Sequence, residues 1–379
     1  MNIKAISNCD LCNSNLLSAV YQPLQSRYST EVYLCEECGL VQSQKNSIPN
    51  EAIKTTSADA DWGNVRHGKG LRFEVLRNKF DLEKLACGRV LDIGSNRGDF
   101  VNWAISMKRV SKVVAVEPDH TLMSDYVADI VLYNAKLENV NFENDKFDFI
   151  YCCQTLEHAD SAFEMLKKLR GLLKTNGKAL IDIPNIDIIK KDETIEEFFI
   201  DKNSFHFDES TILKYFSRLG LKTYAFHGDQ YNLAYLVEAC EAQPATLPLN
   251  KLVTHEDFAK YQKNLLINRS KLNLLVRSRM EPVLERQKCA IWGAGRTLDA
   301  LIKFGSLKID TRITIVDSYL HDKIKIIDEY QICKPSFLKI VEPQVVFILA
   351  NSAEDQLAQK AYKMGIRHVI KFSEMLDQI

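Results

Sequence analysis

Short apolar runs and amphipathic stretches alternate along most of the chain, and their periods predict its elements. Val90-Leu91-Asp92-Ile93 reads as a buried strand, the residues after Gly98 as an amphipathic helix, and Val113-Val114-Ala115-Val116 as a second strand that stops at Glu117. Phe147–Cys153 repeats the strand pattern, a helix runs through Leu173, the turn Lys174-Thr175-Asn176-Gly177 breaks it, and Lys178–Ile183 gives the next strand. Strands alternating with helices in this way predict an α/β fold.

The flanks carry patterns of their own. Residues 51–80 turn helical near Gly70, judging by Leu71, Val75, Leu76 and Phe80, after a stretch holding Trp62, Arg66 and His67; Arg72 falls inside the helix. The turn-rich Gln243-Pro244-Ala245-Thr246-Leu247-Pro248 closes the central region. One long amphipathic helix is predicted over 251–286, with Phe258, Tyr261, Leu265, Leu272, Val276 and Val283 on a shared face. Strand Cys289–Trp292, the loop Gly293-Ala294-Gly295, strand Ile313–Val316 ending at Asp317, strand Val345–Ala350 and helix Ala353–Met364 then describe a small doubly wound α/β domain. The boundaries fall at 1–50, 51–80, 81–242, 243–286 and 287–379.

Composition narrows the setting. With 379 residues and 46% hydrophobic content, the chain is large enough for two or three globular units with real cores. It has no apolar run of membrane-spanning length, and its opening residues lack the basic-then-apolar layout of a signal peptide. The expectation is a soluble, cytoplasmic protein with no membrane partner. A formal net charge of −1 likewise predicts no nucleic-acid partner.

Cysteines supply the first candidate chemistry. Cys9-Asp10-Leu11-Cys12 and Cys35-Glu36-Glu37-Cys38 are two C-x-x-C knuckles separated by 22 residues. Four thiolates in two close pairs can close a tetrahedral Zn²⁺ site, and a ribbon of this size needs such a staple. A redox role would need only one pair, and a nucleic-acid ribbon would need basic surface, whereas Lys4 and Arg27 are the only cations in residues 1–44. The ribbon is expected to hold a structural zinc and to brace the rest of the chain. The other six cysteines show no framework spacing, and Cys152 and Cys153 read as buried thiols on a strand.

Gly94 and Gly98, with Glu117 placed 23 residues after Gly94, are the layout of a nucleoside-cofactor site. Glycine lets a ligand lie against the backbone, and an acid at the end of the second strand can accept both ribose hydroxyls. Gly-Ser-Asn-Arg-Gly lacks the middle glycine of the dinucleotide fingerprint, which suits a cofactor without phosphates, S-adenosylmethionine being the common one. Here the chain resembles the class I S-adenosylmethionine-dependent methyltransferases, because Asn134-Ala135-Lys136-Leu137-Glu138, the strand Phe147–Cys153, Gln154-Thr155-Leu156-Glu157-His158 and the turn before Lys178 follow in the family's order over roughly 80–240. The resemblance implies a Rossmann-like core that binds S-adenosyl-L-methionine through Asp92, Gly94, Ser95, Asn96, Gly98, Glu117, Pro118, Lys136, Leu137, Cys153, Gln154 and His158. It gives His158 a buttressing or cofactor-lining role, and Asp148 a structural one.

The order of ribbon, methyltransferase core and C-terminal Rossmann-like domain resembles the nucleotide-sugar C-methyltransferases of deoxysugar biosynthesis. That likeness implies a small-molecule acceptor, a nucleotide-linked keto-sugar, and a base that removes the proton α to the ketone so that the enolate carbon attacks the methyl group. The family's base lies in a histidine motif before the helix that follows the fifth strand, held here by Asn203-Ser204-Phe205-His206-Phe207, and His206 is the candidate. The sugar enzymes usually place Glu where Phe205 stands, so O- or N-methylation of a sugar or another small metabolite is the alternative. Tyr231, Asn232 and His227 are further candidates to face the acceptor. In the second glycine loop the third glycine position is Leu298, which leaves open a nucleotide or sugar contact, a scaffold role, or a dehydrogenase reading with a nicotinamide cofactor.

Overall fold

The computed structural model describes residues 6–23, 26–48, 69–119, 130–195, 197–241, 252–309, 312–323, 326–327, 330–350 and 353–376. The expected segment with Trp62, Arg66 and His67 lies outside these. The chain divides into two compact units, one drawn from 1–53, 69–190 and 198–258, the other including 191–197 and 259–379.

The first unit is built on a seven-stranded sheet. Its strands are β4 (Gly88–Ile93), β5 (Val110–Val116), β6 (Val131–Tyr133), β7 (Phe147–Cys153), β8 (Leu173–Pro184), β10 (Leu221–Gly228) and β11 (Asn232–Ala239), in the order β10-β11-β8-β7-β4-β5-β6. β4 to β8 run parallel, and β11 lies antiparallel to both β8 and β10. The parallel strands read as near-continuous apolar runs because both faces are covered. Helix α1 (Lys69–Lys79) and helix α2 (Asp99–Ser106) lay Phe73, Leu76, Phe100 and Val101 on Val90, Phe149 and Leu180. On the opposite face, α3 (Ala162–Leu172) and α4 (Glu209–Leu219) pack Leu166, Leu169, Ile212 and Phe216 against Leu91, Ile150 and Ile181.

The sequence marks the helix ends well. Ser161 caps α3 by accepting from Glu164 N, Asp208 and Thr211 form a reciprocal capping box at α4, and Gly220 ends α4 in the left-handed region at φ 64°. Residues 174–177, expected as a turn between helix and strand, fold back at Asn176 (φ 64°) inside the span of β8, bringing Gly177 close to Lys174. There the register against β7 shifts, so the extra residues stand outside the pairing.

Three further strands, β1 (Leu17–Tyr21), β2 (Glu31–Cys35) and β3 (Val41–Gln44), make an antiparallel ribbon. The short β9 (Phe205–His206) joins its edge, with Val41 opposite His206 and Gln42 opposite Phe205.

The second unit is a six-stranded sheet of β12 (Cys289–Trp292), β13 (Ile313–Val316), β14 (Ile326–Ile327), β15 (Tyr330–Cys333), β16 (Val345–Ile348) and β17 (His368–Lys371), in the order β14-β15-β13-β12-β16-β17. Its pairs are parallel except β14 with β15, as the doubly wound expectation requires. The predicted helix over 251–286 is interrupted. It runs as α5 (His255–Leu275), widens into a π turn at Val276–Met280, and resumes over Glu281–Leu284. Pro282 is the cause, since it has no N–H for the carbonyl four residues back and its ring crowds that turn. Among the described residues no helix is long and apolar enough to cross a membrane.

Candidate cofactor site and metal centre

β4 ends at Ile93, and the chain turns at Gly94 with φ 72°, where the Gly94 N–H donates to Val116 O at 2.8 Å. A Cβ there would stand 2.2 Å from Thr155 Oγ1, so position 94 admits glycine alone. Asn96 also takes a positive φ of 48°, and Gly98, at φ 80°, leads into α2. Glu117 follows β5 and is buried. Its Oε2 accepts from Asn96 N at 2.7 Å and its Oε1 from Asp119 N at 3.1 Å, which ties the acid directly to the glycine loop.

Asp92, Gly94, Ser95, Asn96 and Cys153 line one pocket, together with Phe73, Asp99, Phe100 and Tyr151, which the sequence reading did not assign. Asp99 follows Gly98 directly, and Tyr151 shares the strand face of Cys153 two residues on, so both were within reach of periodicity. Two carboxylates and three aromatic rings suit a ligand that carries positive charge, as the sulfonium and ammonium of S-adenosylmethionine do. The glycine cradle at 94 and the acid at 117 fit the nucleoside end of the same molecule.

The remaining expected cofactor residues are not in the lining of this pocket. Pro118 is exposed beside Glu117, Leu137 is buried, and Lys136 Nζ pairs with Asp160 at 2.5 Å. Gln154 takes a φ of 50° after β7, and its Nε2 donates to Asp182 Oδ2 at 2.9 Å and Asn232 Oδ1 at 3.1 Å. His158 Nδ1 lies 3.2 Å from Lys202 O. Asp148 accepts from Arg89 N and pairs with Lys174 Nζ, both at 2.7 Å.

Asp182, near the end of β8, organises a polar cluster beside the pocket. Its side chain is fully buried and receives Arg72 Nη2 at 2.6 Å and Arg72 Nε at 3.1 Å, while Arg72 Nη1 reaches Asp229 at 3.0 Å. Burial works against the guanidinium's charge, but the hydrogen bonds and charge of Asp182 outweigh it and raise the Arg72 pKa further. Arg72 and Asp182 are 110 residues apart, and sequence alone gave no signal for the pair.

His206 is not in the lining of this pocket. It is buried on β9, with Nε2 2.7 Å from Ser43 Oγ and its ring edge-on to Phe199 at 4.8 Å. Burial pushes its pKa down to about 3, so the ring is neutral. The segment is fixed to the C-terminal edge of the sheet, since Ser204 N donates to Glu157 O at 2.7 Å and Ile186 N to Phe207 O at 3.0 Å.

In the ribbon, the ligand atoms of Cys9, Cys12, Cys35 and Cys38 all lie within 4.8 Å of one another. The Sγ atoms of Cys9 and Cys38 are 3.4 Å apart and those of Cys12 and Cys35 3.5 Å, close to the edge lengths of a tetrahedron around a Zn–S bond of about 2.3 Å. The contact between Cys9 and Cys38 pulls the Cys9 thiol down to about 5 and pushes Cys38 up, while burial raises Cys12 to about 11, so one thiol of the set gives up its proton ahead of the others. The donor set fits a metal ion.

The family model described as "Methyltransferase domain" matches residues 69–236. Curated relatives include the tRNA U34 carboxymethyltransferase of Sulfurovum sp. (strain NBC37-1), 28% identical over 136 residues, or 34% of this chain and 42% of that protein. The protein of the same description from Sulfurimonas denitrificans is 28% identical over 134 residues, with the same coverage of 34% and 42%. The chain therefore spans less than half the length of the curated relatives it matches. Among solved structures, an S-adenosylmethionine-dependent methyltransferase from Clostridium acetobutylicum has a TM-score of 0.37 at 17% identity, covering 48% of this chain and 94% of that one. The family match covers most of the sheet whose parallel strands are closed at one edge by the antiparallel β10–β11 hairpin, so this region of the chain is similar to a methyltransferase domain and has the α/β fold of one.

Proposed function

We propose that the chain transfers a methyl group from S-adenosylmethionine to a small acceptor, a nucleotide-linked sugar, while its ribbon holds a structural zinc through Cys9, Cys12, Cys35 and Cys38. The observation that carries the cofactor reading is the hydrogen bond from Asn96 N to Glu117 Oε2, which joins the glycine loop to the ribose-binding acid. When bound, the cofactor supplies an electrophilic methyl on a sulfonium. Asp92, Gly94, Ser95, Asn96, Gly98, Glu117 and Cys153 hold and orient it, with Pro118, Lys136, Leu137, Gln154 and His158 around them, and the apolar wall of Phe73 and Phe100 excludes water.

The sugar reading rests on the order of ribbon, methyltransferase core and Rossmann-like domain. Transfer to carbon would have His206 take the proton α to the ketone. The acceptor carbon then forms the new C–CH₃ bond as the S–CH₃ bond breaks and the neutral thioether leaves. Two observations favour the second reading, O- or N-methylation. Phe205 replaces the expected acid, and a ring at about 3 is a weak base.

The names of the curated relatives raise a third possibility, carboxymethyl transfer to tRNA. A carboxymethyl donor would bring one more carboxylate into a pocket already lined by Asp92 and Asp99, and a net charge of −1 suits tRNA poorly. Supplying the purified full chain with S-adenosylmethionine and either nucleotide-linked keto-sugars or tRNA tests the proposal. Formation of adenosylhomocysteine with the sugars alone is expected, and product NMR separates C–CH₃ from O–CH₃. Turnover only on tRNA would refute the sugar acceptor.

A further inference from the structure

Tyr151 lies on β7 in register with Asp92 on β4, and both line the cofactor pocket. Its ring stacks on Phe100 with centroids 4.5 Å apart and planes 7° from parallel, and meets Phe73 edge-on at 6.1 Å. The ring is thus fixed in place. Among the described residues the hydroxyl of this buried residue makes no hydrogen bond of ordinary geometry, an unusual state for a phenol inside a protein. Burial, with the charge and hydrogen bonding of the Cys153 thiol and the charges of Asp182 and Asp92 nearby, holds its pKa well above the ordinary value, so it stays an O–H donor whose neighbour within the protein is a weak sulfur acceptor.

The order of the strands says which part of the ligand comes within its reach. Glu117 follows β5, Asp92 sits on β4 and Tyr151 on β7, and these strands are neighbours in the order β7-β4-β5. A cofactor whose ribose is held at β5 and whose ammonium meets the Asp92 carboxylate at β4 extends its amino-acid end toward β7. The acceptor at that end is the α-carboxylate. We propose that the Tyr151 hydroxyl donates a hydrogen bond to the α-carboxylate of the cofactor's amino-acid end, which makes Tyr151 a binding residue of the methyltransferase site. The inference rests on the reading of this pocket as the S-adenosylmethionine site.

Tyr151→Phe keeps the ring and its stacking while removing the hydroxyl. The ligand-free variant should melt at or above the wild-type temperature, because a same-shaped apolar group replaces a poorly satisfied donor. Calorimetry with S-adenosylmethionine, adenosylhomocysteine and 5′-methylthioadenosine, which lacks the amino-acid end, separates the possibilities. The variant should bind the first two about tenfold more weakly and alike, and 5′-methylthioadenosine as well as wild type does. Unchanged affinity for all three would overturn the proposal, as would weakening confined to S-adenosylmethionine, which would mean that the hydroxyl reads the sulfonium. Wild-type protein that binds none of the three would overturn the pocket assignment itself, and this inference with it.

Discussion

His206 Nε2 lies 2.7 Å from Ser43 Oγ, which fastens β9 to the ribbon strand β3 and leaves a neutral imidazole inside the first unit. The folded ring titrates near 3, whereas an unfolded histidine titrates at about 6.5. Between those values the unfolded chain binds a proton that the folded one does not, so stability falls as pH drops through the window. One unit below 6.5 the loss is about 1.4 kcal/mol. Urea denaturation of metal-loaded protein at pH 7.5 and 5.5 should show a loss of that order that His206→Gln lacks. Parallel losses in the two proteins would mean that the ring takes up no proton on unfolding.

Gly94→Ala is expected to cost binding more than folding. The left-handed φ of 72° strains any side chain by about 1–2 kcal/mol, and a Cβ 2.2 Å from Thr155 Oγ1 forces the loop away from Asn96 and Glu117. Calorimetry should find cofactor affinity at least tenfold weaker, with the urea midpoint lowered only modestly. Wild-type affinity in this variant would remove the cradle from the cofactor site.

How much of this was legible in the sequence follows from range. The glycine loop, Glu117 and the apolar strands are local patterns, and the structure forms each of them. Pro282 was also visible inside the helical pattern, so the interruption of α5 could have been anticipated. Ser43 and His206 are 163 residues apart, and Arg72 and Asp182 are 110 apart. No periodicity encodes such pairs, because they exist only once the ribbon and α1 have packed on the sheet. That the turn at 174–177 interrupts a strand, rather than preceding it, was hidden for another reason. A turn before a strand and a turn inside one draw on the same residues, here Asn176 at φ 64° and Gly177, and only pairing with β7 tells them apart.

Asp10, between the two cysteines of the first knuckle, ties the ribbon to two helices. Its carboxylate accepts from Ser161 Oγ at 2.5 Å, from Phe163 N in the first turn of α3 at 2.9 Å, and from Tyr215 OH on α4 at 2.8 Å. An anion is well placed at a helix N-terminus, and its loss would leave the buried Tyr215 hydroxyl without this acceptor. Asp10→Ala should therefore destabilise the protein by about 2–3 kcal/mol in urea titration. Metal content should stay at about one zinc per chain by elemental analysis, since no thiolate is touched. A variant of wild-type stability would show that the ribbon is not anchored through Asp10.

The Arg72–Asp182 pair gives the most demanding test, because the two side chains are 11% and 0% exposed and neither can be solvated where it lies. Removing the cation leaves a buried carboxylate supported by Gln154 Nε2 at 2.9 Å but with no compensating charge. Arg72→Ala should cost about 3–5 kcal/mol, the range for breaking a buried pair from one side. Asp182→Asn costs less, since a neutral amide needs no counter-ion and Arg72 retains Asp229 at 3.0 Å. The double variant Arg72→Ala/Asp182→Asn should then be markedly more stable than the two single losses predict, a coupling measurable by a double-mutant cycle. Strict additivity would mean that solvent reaches Asp182 and that the pair does not fix α1 over the pocket. Because α1 also carries Phe73 into the pocket lining, cofactor affinity should fall with Arg72→Ala even at temperatures where the variant remains folded.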